Sequence, residues 1–284
     1  MNNFLEALTG DLPFIRNALI AGLIASASFG VVGTYVVARR ISYIAASIAH
    51  SVLGGIGAAV YFQRTFDLPW LTPMVGALVA ALFAAAIIGL VSLHADERED
   101  TVIGAIWATG MASGLLFLHY APPPAVDATS YFFADILIIS NHQLVRLALL
   151  GALVVALGLY FYNRFVAICF DEEFARIRGV RVSAWYLLLL GLTAVSVVIL
   201  VTLVGIILAI ALLTLPAAIA SRFSNRLWQM MLLSIAICAV LITSGLVLSF
   251  QVDSPSGPTI ILLSALVYFT ILGVDFLRSK KKIR

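Results

Sequence analysis

The sequence predicts an all-α fold, a polytopic bundle of membrane-spanning helices, on three observations. Hydrophobic residues make up 62% of the 284 residues and charged residues only 11%, against about 25% charged residues in a soluble domain. Residues 182–221 contain no charged side chain, with Arg181 before them and Arg222 after them. That run is about twice the roughly 20 residues that one helical crossing needs. Because arginine favours the cytoplasmic side, the chain crosses out and back within this run.

Long runs without charged side chains predict the individual crossings. Each run is long enough for a helix across the bilayer, and 182–221 counts twice, which gives nine crossings. Gly205 is the predicted turn inside that run, because little else there can reverse a helix; so short a turn leaves open a broken or re-entrant pair. In chain order, the runs are 17–38, 41–62, 70–93, 101–120, 147–163, 182–221, 227–250 and 254–274.

The distribution of basic residues predicts the orientation. With nine crossings, the connections on one side carry 14 of the 17 Lys and Arg residues, and only Arg16, Arg64 and Arg146 fall on the other side. Basic residues favour the cytoplasmic side, so we expect the C-terminus in the cytoplasm and the N-terminus outside. The alternative of eight crossings would put the basic tail outside.

Composition also limits the domain organisation and the partners. So much of the chain lies in spans that we expect one transmembrane domain over residues 1–284. The net charge is +3, and the basic residues lie at the predicted membrane edges, where the preference for the cytoplasmic side explains them. No nucleic-acid partner is therefore expected. Cys169 and Cys238 are far apart, and Cys238 lies in an apolar run, which argues against a disulfide framework. No G-x-x-x-x-G-K-[ST] motif occurs, so any ATP would bind to another subunit.

His50 is the most informative side chain at membrane depth. It lies within the second span, where an ionisable group is costly and usually faces a cavity or a partner. Tyr43, Ser47 and Gly54 recur at helical spacing on the same face, and Ser51 lies beside them. Neutral imidazole is a good ligand for zinc and similar ions, so this face is predicted to line a metal pathway. The alternative is a histidine hydrogen-bonded across helices for packing.

The longest predicted external connection is 121–143, and it carries further candidate ligands. Asp135 in this segment is predicted to receive a metal ion at the mouth of the pathway, as a carboxylate can. Asp127 and His142 lie in the same segment, but each is explained more simply as a solvated loop residue.

The connection 171–179 has the residues that begin and end a short helix. Asp171 is a suitable N-cap, Glu172 suits the positive end of the helix dipole, and Arg176 suits the negative end. Gly179 can take the left-handed conformation that stops a helix. The sequence therefore predicts about two turns of amphipathic helix on the cytoplasmic face. The helix either rests on lipid headgroups or docks a cytoplasmic partner.

Four parts of the sequence carry a family resemblance, in order and spacing, over nearly the whole chain. They are 39–43 with 49–50 and 53–55, then 130–137, then 171–179 with 212–220, and last 253–258. Together they resemble the permease subunits of the ABC-3 family, the membrane components of zinc, manganese and iron ABC importers.

The resemblance implies a type II ABC importer-like permease that forms a homodimer around a central path in a bacterial cytoplasmic (inner) membrane. It implies two copies of a separate ATPase subunit and an extracytoplasmic metal-binding protein that delivers the ion. Residues 171–179, with Ala175 among the contacts, would be the coupling helix seated in the ATPase, which favours docking over resting on lipid. The divalent metal ion would be the substrate. No permanently bound cofactor is expected, and the chain itself would not be an enzyme.

One position departs from the family pattern. Many members place an acidic residue four positions before the histidine of the second span, and here that position is Ala46. Half of the expected intramembrane site is therefore missing. Imidazole without carboxylate favours zinc over manganese, which prefers oxygen ligands. We therefore expect zinc import by alternating access, with manganese or iron import as alternatives.

Three other functions remain as alternatives. A siderophore or vitamin ABC permease has a related architecture, but the short chain and the segment around His50 favour free metal. A secondary metal transporter or channel would need buried charge for ion coupling, of which the spans have almost none. An intramembrane enzyme would need a nucleophile–base or metal–base constellation, and a single histidine without a paired acid argues against it.

Overall fold

Helices account for most of the chain because a backbone inside a membrane must satisfy its own hydrogen bonds. The computed structural model describes residues 13–94, 98–124, 129–132 and 139–282. Those ranges contain twelve helices and no strand. We number the helices α1 (Pro13–Ala38), α2 (Ser42–Phe66), α3 (Pro73–His94), α4 (Glu99–Tyr120), α5 (Thr129–Phe132), α6 (Asn141–Tyr160), α7 (Tyr162–Phe170), α8 (Glu172–Ile177), α9 (Val182–Val204), α10 (Ile206–Phe223), α11 (Leu227–Val252) and α12 (Ser256–Lys282).

Nine of the helices in the described ranges are long and apolar enough to cross a membrane. They are α1 to α4, α6 and α9 to α12. The predicted all-α membrane fold with nine crossings is therefore confirmed. The three remaining helices, α5, α7 and α8, are short and lie between crossings.

Local chemistry sets two of the helix boundaries. Gly205 separates α9 from α10 with φ +82°, a conformation that other residues rarely adopt, so the predicted break inside the long run is present. The start of α6 differs from the prediction. The sequence placed the start at 147 because the run without charged side chains begins directly after Arg146. Ser140 and Gln143 form a capping box that starts α6 at Asn141, so Arg146 lies inside the helix.

The helices form two groups that α9 joins. In the first group α2 packs along α3 and α4, and in the second α1 packs along α6, α10 and α11. α9 contacts both groups, and α12 packs on α10 and α11 at the edge. The connections 39–41, 171–181 and 224–226 lie at one end of the bundle, which we call the basic end. The opposite end, with the connections 67–72 and 253–255, is called the far end.

Glycines bring α2 into direct backbone contact with its neighbours. A methyl group at Gly54 would lie 2.9 Å from the carbonyl oxygen of Gly110 on α4, and one at Gly55 would collide with the carbonyl of Gly76 on α3. Small residues drive helix association in lipid because they allow this close approach. α2 is therefore held on two sides by contacts that leave no room for a side chain.

Gly55→Ala is expected to lower the free energy of unfolding by about 1–3 kcal/mol, the usual cost of overpacking. Equilibrium unfolding of the detergent-solubilised protein measures this change. Gly191→Ala on α9 is the matched control, because nothing lies within 4 Å of a methyl group there. Equal stability of the two variants would contradict the close approach of α2 to α3.

Candidate functional site

His50 on α2 stacks on the indole of Trp107 on α4. The ring centroids are 4.3 Å apart and the planes are inclined by 15°. Tyr43 approaches the same indole from nearer the basic end, with 5.8 Å between centroids. Stacking of this kind is favourable and orients both rings, so the imidazole plane is set by Trp107. We call the contact surface between α2 and α4 the α2–α4 seam.

The predicted polar face of α2 turns toward α4 and is closed against it. Ser47 is fully buried, and its hydroxyl donates to the carbonyl of Ile103 on α4 at 2.9 Å. Ser51 is also buried, and its hydroxyl donates to the carbonyl of Ile48 at 2.7 Å. The face therefore does not line an open path in this structure. A lining role for Ser47 and Ser51 requires α2 and α4 to separate, whereas Tyr43 is 46% exposed and borders a cavity at the basic end. The lining role of all three residues stays a prediction.

The imidazole of His50 keeps one nitrogen without a partner. Its Nδ1 is buried and makes no hydrogen bond to any described residue. The packing alternative needs a hydrogen bond across helices, and none forms at this atom. A buried polar atom without a partner is costly, whereas a neutral imidazole nitrogen can coordinate a transition-metal ion. The nitrogen therefore has the chemistry of a metal ligand.

His50 does not form a complete metal site with other described residues. No group of three or more His, Cys, Asp or Glu side chains comes together within the described ranges. Ala46, one turn away, is buried and offers no ligand. Asp135, the predicted ligand at the mouth, lies outside the described residues, as does Asp127. The described residues therefore supply one candidate ligand, the imidazole of His50.

A cavity of about 320 Å³ lies at the far end, beside the predicted mouth. Burial raises the pKa of Tyr131 in its wall, against the opposing effect of Arg64, so the phenol is neutral at neutral pH. The only charged side chain in the described lining is Arg146, which repels a bare cation. The polar lining residues are Thr72, Ser130, Tyr131, Gln143 and Arg146.

The predicted helix at 171–179 is present as α8, with both of its predicted ends. The carboxylate of Asp171 accepts a hydrogen bond from the backbone NH of Phe174 at 2.8 Å, which is an N-cap interaction. Gly179 has φ +75°, and the NH groups of Gly179 and Val180 donate to carbonyls of the last turn, each at 3.0 Å. These two bonds form a Schellman motif.

The two faces of α8 differ in exposure. Ala175 is only 1% exposed and packs within the chain, whereas Phe174 is 51% exposed and Ile177 is 84% exposed. Ala175 therefore seats α8 on the bundle, and its predicted role in coupling to a partner stays a prediction. The predicted charges are where the dipole favours them, with Glu172 in the first turn and Arg176 in the last turn.

Comparison with known proteins identifies the family. The sequence model of the ABC 3 transport family matches residues 11–275. The chain belongs to the ABC 3 transport family. It is 39% identical over 258 residues to a protein of Chlamydia muridarum named "Probable metal transport system membrane protein", with 90% of this chain and 87% of that protein covered. It is 30% identical over 267 residues to the manganese transport system membrane protein MntC of Listeria innocua, with 94% and 92% covered.

A solved structure also matches this member of the ABC 3 transport family. PsaBC from Streptococcus pneumoniae in complex with Fab superposes with a TM-score of 0.83 at 28% identity, covering 95% of this chain and 94% of that chain. The family resemblance drawn from the sequence is therefore confirmed, and the fold is that of an ABC transporter permease.

The stacking of Trp107 on His50 was not predicted from the sequence. Trp107 lies in a span rich in Gly and Ala, with no polar pattern around it that indicates a role. The one available signal was depth. Trp107 is eight residues after Glu99, where α4 begins, and His50 is eight residues after Ser42, where α2 begins. Two helices that start at the same end place such residues at similar depth in the membrane.

Proposed function

We propose that this chain is the transmembrane permease subunit of an ATP-driven importer of divalent metal ions that works by alternating access. The observation that carries the proposal is the buried Nδ1 of His50, without a partner at membrane depth, in a member of a transport family. Ionisable groups inside a membrane usually belong to a substrate or ion pathway. The names of the relatives from Chlamydia muridarum and Listeria innocua support metal as the substrate class.

Zinc and manganese are supported by different observations. The described donor at the seam is an imidazole, and Ala46 supplies no carboxylate, which favours zinc. Two relatives at 30% identity favour manganese by their names, MntC of Listeria innocua and the manganese import system permease protein ScaB of Streptococcus parasanguinis. We rank zinc first, because it rests on the residues of this chain, and manganese second.

The basic residues support an orientation in a bacterial cytoplasmic membrane. The basic end faces the cytoplasm, which puts the N-terminus outside and the C-terminus inside. α8 then lies on the cytoplasmic face, where exposed Phe174 and Ile177 offer an apolar surface to a separate ATPase subunit. An extracytoplasmic metal-binding protein delivers the ion at the far end, and one transmembrane domain spans 1–284.

The exposure of α4 supports a homodimer. Only 17% of its apolar stretch is buried within the chain, against 11% for α12, and what distinguishes α4 is that small side chains form part of its exposed surface. Small residues allow two transmembrane helices to approach closely. A second copy would also supply a second imidazole, which the incomplete site of one chain lacks. The exposed small residues on α4 are Ala105, Ala108, Thr109 and Ala112.

Opening of the α2–α4 seam is the central step of the proposed mechanism. Nucleotide binding and hydrolysis on the ATPase subunit move α8, and α2 separates from α4. Separation exposes the imidazole of His50 and the hydroxyl of Ser47 together, first to one side of the membrane and then to the other. No covalent bond is made or broken in this chain, so its residues act by binding and positioning the metal ion.

His50→Ala is expected to reduce metal uptake at least about tenfold. Loss of even an outer-shell partner of a metal ligand typically lowers metal affinity or activity about 10- to 100-fold. Uptake of labelled zinc and labelled manganese is measured in vesicles that contain the complete complex with its ATPase subunit. His119→Ala is the matched control, because His119 is exposed near the far end of α4. Normal uptake of both metals by the His50→Ala complex would rule out the pathway role.

Ile177→Glu is expected to weaken binding of the ATPase subunit, because it places a charge on the exposed apolar face of α8. Co-purification of the two subunits measures the effect. If the substitution weakens the binding free energy by about 1 kcal/mol or more, at least about half of the ATPase should be lost from the purified complex. Phe223→Glu is the control, since Phe223 is 63% exposed at the same end but lies on α10. Equal retention of the ATPase by both variants would exclude docking at α8.

A further inference from the structure

Arg39 directly follows α1 at the basic end and contacts three other helices there. Its guanidinium donates to the carbonyl of Ile168 on α7 at 2.6 Å and pairs with the carboxylate of Glu172 on α8. The same guanidinium lies over the ring of Tyr186 on α9, 5.3 Å from the ring centroid. Arg39 therefore ties the short helix α8 to the long helices α1 and α9.

Polar contacts continue from Tyr186 to α4. The hydroxyl of Tyr186 lies 3.4 Å from the hydroxyl of Ser92 on α3, and Ser92 donates to the carboxylate of Glu99 at 2.6 Å. Glu99 is the first residue of α4, the helix whose Trp107 stacks on His50. An unbroken series of contacts thus joins α8 to the helix that holds the candidate metal ligand.

The surroundings of these contacts allow them to change. A cavity of about 250 Å³ adjoins Arg39, Glu99 and Tyr186, which gives the side chains space that a close-packed interior lacks. The side chains of Arg39 and Glu172 are 20% and 36% exposed, and ion pairs that solvent reaches contribute little to stability. The pair is therefore better explained by positioning than by stabilisation.

We propose that Arg39 is a positioning residue that transmits movement of α8 to α4 through Tyr186, Ser92 and Glu99. The inference rests on the proposed function, because it assigns α8 to coupling with the ATPase. Movement of α8 carries Glu172 and draws the guanidinium away from the ring of Tyr186. The hydroxyl of Tyr186 then leaves Ser92, and the start of α4 is free to move away from α2. The seam at His50 opens as a result.

A second ion pair at the same end provides the control. Arg222 on α10 and Asp275 on α12 pair at 2.8 Å, with side chains 30% and 42% exposed. The two residues match Arg39 and Glu172 in charge and are similarly exposed. Within the described contacts they join helices of the other group and do not reach α8, so their exchange should leave coupling unchanged.

Charge exchange tests the proposal in the complete complex with its ATPase subunit, reconstituted in vesicles. Arg39→Glu and Glu172→Arg are each expected to raise the ATP hydrolysed per metal ion transported at least about fivefold, the lower end of typical coupling between sites. The double variant restores opposite charges but places a carboxylate over the ring of Tyr186 and beside the carbonyl of Ile168, so its ratio is expected to stay raised. Arg222→Glu and Asp275→Arg should keep that ratio. Gel filtration of each complex distinguishes uncoupling from a structural loss, because an uncoupled variant still assembles.

Tyr186→Phe provides a test that leaves the ion pair intact. It removes the hydroxyl that reaches Ser92 but keeps the ring beneath Arg39, so it should raise the same ratio without reducing complex assembly in gel filtration. Wild-type ratios in Tyr186→Phe and in the single charge variants, or a wild-type ratio in the double variant, would overturn the route from Arg39 through Tyr186. A wild-type complex that transports no metal would instead overturn the proposed function.

Discussion

The close approach of α2 to α4 is the constraint on which the rest of the structure depends. At Gly54 and Gly110 the two backbones meet without intervening side chains, and the hydroxyl of Ser47 adds a hydrogen bond across the contact. Such contact is favourable in lipid, where small residues and interhelical hydrogen bonds replace the hydrophobic effect as the driving force. It also brings Trp107 onto His50 and holds an imidazole nitrogen at membrane depth without a partner.

At the basic end lies the short helix α8, which caps both of its own ends. α8 has its own N-cap and its own Schellman motif, so its ends do not depend on the bundle. It is attached through buried Ala175 and through the pair of Arg39 with Glu172. A helix with its own caps and few contacts to the bundle can shift as a unit at low cost in free energy. The close backbone contacts of α2 at its glycines are instead either made or broken. Movement at α8 is therefore compatible with a seam that is either closed or open.

Sequence predicted what local chemistry determines and missed what packing determines. The nine crossings followed from charge-free length, and the break at Gly205 and both ends of α8 followed from residue types with known backbone preferences. The start of α6 was misplaced because the capping box at Ser140 outweighs the charge of Arg146. The inward position of Ala175 was missed because a six-residue helix has too little periodicity to distinguish its faces. The contact of Trp107 with His50 joins distant segments through glycines, and single-sequence patterns carry little information about such pairs.

Thiol accessibility tests directly whether the α2–α4 seam opens during transport. Ser47→Cys is placed in a chain with Cys169→Ser and Cys238→Ser, which removes both free cysteines. A water-soluble thiol reagent is expected to label this position only while the partner ATPase hydrolyses ATP. Ser196→Cys on α9, equally buried in the structure, should stay unlabelled. Full protection of the cysteine at position 47 throughout active metal transport would contradict opening of the seam.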